Sequence, residues 1–149
     1  MGKYQMKIAN QFRRLVEARL ELMAKLERTD LSDLDRVVYY IQFECINSLF
    51  KYLHVVQENA SDKKKVLLTI CLSGDGCNST VANALEYNSV DSMNKARNRL
   101  IGVLSTTIFS EEKIDDLLKS TLYEEVFEAQ QWFVDNVLKN KQLIYSLVR

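Results

Sequence analysis

The chain holds one histidine, His54, and three cysteines, Cys45, Cys71 and Cys77, so any nucleophilic or metal chemistry must be assembled from very few groups. A Ser–His or Cys–His mechanism needs its histidine beside the nucleophile. His54 stands four residues before Glu58, the spacing of an ordinary surface ion pair on a helix, and no serine or cysteine can be placed against it. Structural zinc needs four clustered ligands, commonly in pairs two to four residues apart. Cys71 and Cys77 have five residues between them, and Cys45 lies at helical spacing between Ile41 and Leu49. The Glu-x-x-His pairs of a four-helix di-iron site do not occur in the sequence. These groups read as buried thiols and an exposed imidazole. No catalytic, cofactor or metal site is expected, and the chain is not read as an enzyme.

The elements that carry these residues are helical. Ile8, Ala9, Phe12, Leu15, Val16, Leu20, Met23 and Leu26 recur every three or four residues and predict a helix over 3–28, about 39 Å long. Thr29-Asp30-Leu31-Ser32-Asp33 interrupts it, with Ser32 or Asp33 capping a second helix over 34–58. There Glu44, Asn47, Lys51, His54 and Glu58 form one narrow polar stripe. The rest of the circumference is apolar, which predicts a central helix with Ile46 and Phe50 in the core. The run Val66–Leu72 fits helix or buried strand by periodicity, while Ser61 before it and Gly74 after it favour a helix.

A loop over 75–79 and a short helix over 80–86 follow. The helix over 91–104 turns Met93, Ala96, Leu100, Ile101 and Leu104 inward, and Gly102 reads as a close helix crossing. Ser110 caps an acidic helix over 111–119. Thr121 and Glu124 match a capping box that opens a last helix towards Leu147. The polar stripe of that helix runs from Glu124 to Gln142, with Tyr123, Val126, Phe127, Phe133, Val137 and Ile144 facing the core.

Composition supports this reading. The chain has 149 residues, 47% of them hydrophobic, four glycines and no proline, where average usage would give about seven prolines. A many-stranded fold needs more turn residues than that. The expected fold is an all-α, single-domain helical bundle spanning 1–149. It has two long antiparallel N-terminal helices, short middle helices and a long C-terminal helix. No signal-peptide core and no 18-residue apolar run occurs, and the odd cysteine count has no framework spacing. The expectation is a reducing, cytoplasmic location and no membrane.

Two segments resemble known families. The run Lys64–Asn83, with Cys71, Gly74 and Gly76, is similar to the strand–Cys–Gly-x-Gly–helix opening of phosphotransferase-system IIB domains. That likeness implies a strand before Cys71 and a phosphate cradled by the loop amides. The run Arg97-Asn98-Arg99-Leu100-Ile101-Gly102 resembles the Arg-Asn start of the RNase motif in HEPN helical domains. The histidine of that motif is replaced by Gly102, Val103 and Leu104, so the likeness implies an RNA-directed bundle without the catalytic base.

Charge is balanced at 20 basic and 20 acidic residues, but it is unevenly placed. Residues 1–28 hold seven basic and three acidic side chains, and residues 110–149 hold five basic and eight acidic. The two ends either attract each other within the fold or leave a basic face for an acidic partner or RNA phosphates. That basic face comprises Lys7, Arg13, Arg14, Lys25 and Arg28. Trp132, with Tyr4, Tyr39, Tyr52 and Tyr145, lies at helix edges where aromatic rings suit a partner surface. The last helix also presents Phe127, Phe133, Val134, Val137 and Leu138, a wider apolar arc than a surface helix requires. The expected function is a non-catalytic interaction or assembly module that engages a protein partner or itself. Its face is expected to draw on Trp132, Phe133, Tyr145, Arg13 and Arg14, and an RNA-directed domain is the alternative.

Overall fold

Short polar side chains start nearly every helix by accepting a hydrogen bond from a backbone N–H that has no intrahelical partner. The computed structural model describes residues 3–149, with side chains from Ile8 onward. Its helices are α1 (Lys3–Leu26), α2 (Asp33–Glu58), α3 (Asp62–Ser73), α4 (Ser79–Ala84), α5 (Val90–Ser105), α6 (Glu111–Lys119) and α7 (Tyr123–Val148). Ser32 accepts from the amide of Asp35, Ser61 from Lys64, Asn78 from Val81 and Ser110 from Lys113. Ser89 and Ser92 cap α5 reciprocally.

The segment around Val66–Leu72 is helix, which removes the strand that the IIB likeness implies. Gly74 stops α3 in a left-handed conformation at φ 80°, the usual glycine terminus. The capping box expected at Thr121 does not form. Leu122 occupies the N-cap of α7 without a side-chain cap, and the Ser120 hydroxyl instead engages the Glu125 carboxylate and accepts from the Leu122 amide. The link between α6 and α7 is so short that Ser120 ends one helix and steadies the start of the other.

The long helices form the frame. Arg19 of α1 meets Asn47 of α2 while Lys25 meets Tyr39, so these two helices are antiparallel. At one end of α2, Gln42 reaches the carbonyls of Leu117 and Ser120 at the α6–α7 link. At the other end, the Ser61 amide donates to the Val148 carbonyl at 2.9 Å. Helices α2 and α7 therefore run parallel.

The main core, between α1, α2, α5, α6 and α7, includes Ile8, Leu15, Ile46, Leu104, Phe109 and Phe133. Each such side chain contributes roughly 1.5–3 kcal/mol on burial. A satellite cluster of Leu67, Ala82 and Met93 ties α3, α4 and α5 together.

Three expectations about faces are corrected. Val16, Leu20 and Met23 of α1 are exposed, as are Val37, Tyr40 and Val55 of α2, so α2 is covered on fewer sides than its apolar circumference implied. Tyr123 and Phe127 of α7 are exposed rather than in the core. Gly102 is no close crossing: a Cβ placed there meets nothing within 4 Å.

Candidate functional site

Two parallel helices with wide apolar arcs cannot bury all of both arcs against each other, because each touches its neighbour along only one stripe. Part of both arcs stays open beside the α2–α7 seam. A groove of about 220 Å³ runs between them, lined by Cys45, Ser48, Leu49 and Tyr52 of α2 and by Phe133, Val134, Val137 and Leu138 of α7, among others. Val134 and Leu138 stand one turn apart on its wall, 45% and 64% exposed. Phe127 and Tyr123 are exposed nearer the start of α7, beyond Gln130 of the groove lining, their rings stacked 6.1 Å apart. Val37 and Val55 of α2 are exposed as well. Among the described residues, no side-chain hydrogen bond or ion pair joins α2 to α7. Tyr52 has its hydroxyl buried beside the groove without a hydrogen-bond partner, and burial with the neighbouring Tyr145 pushes its pKa up to about 12.

The residues singled out from sequence fall unevenly around this face. Phe133 is 1% exposed and forms only the groove floor, which corrects its reading as a contact residue. Its aromatic neighbour Trp132 is half-buried and engaged within the chain, edge-on to Phe133 at 5.2 Å, with the Lys113 ammonium 5.4 Å from its ring centre. Tyr145 is half-buried beneath the Lys141 ammonium, near Tyr52.

The basic face of α1 is largely used inside the fold. Arg14 bonds Gln11 and pairs with Asp115 of α6 at 2.7 Å, an attraction between the basic and acidic ends of the chain. Burial works against the Asp115 carboxylate, but the Arg14 guanidinium holds its pKa below the usual range. Arg28 pairs with Asp30, Lys25 covers Tyr39, and Arg13 is exposed. The side chains of Tyr4 and Lys7 lie outside the described residues.

His54 is exposed and meets Glu58 at 2.9 Å, as the four-residue spacing predicts. Cys45 and Cys71 are buried, and desolvation pushes both thiols up to about 12, where they are poor nucleophiles. Cys77 is half-buried and its sulfur accepts from the Arg97 guanidinium at 3.2 Å. Arg97 is itself 5% exposed, so the arginine that resembles the start of the HEPN motif points into the satellite cluster rather than outward. Among the described residues, no group of three or more potential ligands is placed to hold a metal.

A basic corner lies elsewhere. Lys64 has a lowered pKa, first through burial and then through the nearby charges of Lys63 and Arg99.

No protein-family model, curated protein or solved structure matches this chain.

The sequence leads to the expectation of a contact surface on α7 centred on Trp132, but Trp132 packs towards α6. The signal for the other flank was present in Val134 and Leu138, four residues apart and beside the polar stripe, with Phe127 almost two turns earlier.

Proposed function

We infer that this chain is a non-catalytic interaction module, working in a reducing cytoplasm, that engages a protein through the α2–α7 face. The observation that carries this reading is the exposed apolar pair Val134 and Leu138 beside an open groove, with Phe127 and Tyr123 exposed nearer the start of α7 beyond Gln130. Contiguous exposed apolar surface of several hundred Å² is rare on monomers and usually marks an interaction site. No helix of the described residues is long and apolar enough to cross a membrane, so lipid-spanning does not account for the surface. The free thiols Cys45, Cys71 and Cys77 suit a reducing compartment.

The reading is tested by pairing Val134→Asp and Leu138→Asp and comparing them with Val16→Asp and Leu20→Asp on α1. Association, with itself or with a protein of the native host, is expected to vanish in the α7 pair and persist in the α1 pair. Association unaffected by the α7 pair would overturn it.

A second reading, recognition of RNA, is favoured by one observation: the crowding of Lys63, Lys64 and Arg99. It predicts retention of RNA that weakens steeply with salt and is lost in Lys64→Glu.

A further inference from the structure

We propose that the occupant of the α2–α7 face is a second copy of this chain, docked antiparallel across a two-fold axis near Ser48 and Val134. The proposal rests on the docking role inferred above and commits it to one partner. Its basis is the order of charges along the two helices that flank the groove. Glu44 and Lys51 of α2 are seven residues apart, two helical turns, and so share one side of the helix. Their midpoint falls between Asn47 and Ser48, level with the groove. On α7, Glu124 lies near the start and Lys141 near the end; Glu128 turns to the cavity against α6, and Asp135 lies beside the proposed axis, so neither carries the order.

Because α2 and α7 run parallel, both helices are acidic at one end of the face and basic at the other. Two side chains run against this order, and both are held within the chain: Arg36 donates to the carbonyls of Leu26 and Arg28, and Glu58 meets His54. A copy docked in the same direction would set acid against acid. A two-fold axis across the helices reverses the second copy, so Glu44 meets the partner's Lys51 and the acidic start of α7 meets the partner's basic end. Both pairings occur twice, as an isologous interface requires.

The dimensions agree. From Tyr123 to Tyr145 the face runs about 33 Å along α7. Two adjacent helices are about 20 Å wide, so the face offers roughly 650 Å² per copy, within the ~600–1,000 Å² per partner of standard interfaces.

Light scattering on the full chain, with two charge reversals, tests this. Wild type is expected to show twice the chain mass at high micromolar concentration and to dissociate on dilution. Glu44→Lys and Lys51→Glu, each at an at least partly exposed site, should each weaken that dimer about 10-fold or more by opposing like charges. An equimolar mixture of the two variants should recover it, because every cross-copy pair is then opposite in sign, and the double reversal in one chain should recover it too. A mixture no tighter than either variant alone would overturn the antiparallel docking. Wild type of single-chain mass at every concentration would overturn the second copy as occupant. In that event, retention of a different protein that depends on Leu138 keeps the docking role, and its absence removes that role as well.

Discussion

Towards α1, helix α2 presents Tyr39, Phe43 and Phe50, and each ring is met by a side chain of α1. Lys25 covers Tyr39, Arg19 lies 5.9 Å from the Phe43 ring centre while donating to Asn47, and Phe12 packs edge-on to Phe50 at 5.8 Å. Towards α7, the same helix presents Leu49 and Tyr52 against Val134 and Leu138, and the groove between them is lined by no charged side chain, only Ser48 and Gln130 being polar. Both flanks are rich in apolar side chains. The difference is that long cationic side chains drape their stems over the first flank and keep their charges in water. An apolar seam sealed that way is finished within the chain. The other is left unsealed, which is how an interface core differs from the polar rim around it.

Substitutions at the two flanks should differ in their effect on stability. Ile46 lies fully buried between the two flanks, and an aspartate there would bury an unpaired carboxylate at a cost of several kcal/mol. With total stability of about 5–15 kcal/mol, Ile46→Asp is expected to abolish cooperative thermal unfolding as followed by circular dichroism. Phe12→Ala opens the sealed flank and removes ring contacts to both Phe50 and Phe109. A loss of about 2–4 kcal/mol in urea unfolding is expected.

Gln42→Leu should cost about 1–3 kcal/mol, because it strips the amide donor from the buried carbonyl of Leu117 at the end of α6. Gly102→Ala lies away from both flanks, in open space within α5, and should raise stability by up to about 1 kcal/mol. Smallest of all, Val134→Asp with Leu138→Asp should leave stability within about 0.5 kcal/mol, since both residues are exposed in the single chain. A large loss there would show the open flank to be as structural as the sealed one.

Much of the fold was legible because it rests on local chemistry. Ser32, Ser61 and Ser110 announce their helices by type and spacing, and Gly74 ends α3 where only a residue tolerant of left-handed backbone sits easily. Thr121 failed as a cap because Ser120, one residue earlier, ends α6 and takes over the start of α7. The polar stripe of α7 is exposed throughout, whereas on α2 Glu44 and Asn47 are half-buried and the open side is wider than the stripe. Val37, Tyr40 and Val55 read as core because periodicity cannot count the neighbours that arrive around a helix. The same limit hid the open groove. Trp132 and Val134 are two residues apart on one helix, and only the position of α6 decides that Trp132 packs inside and Val134 stays open.

The claim that the unsealed flank of α2 is the docking face is tested most directly by sedimentation velocity on wild type beside the Val134→Asp, Leu138→Asp variant over a wide concentration range. Wild type is expected to shift from a one-chain to a two-chain species as concentration rises, while the variant stays at one chain with an unchanged melting temperature. Identical sedimentation of the two proteins at every concentration would contradict it.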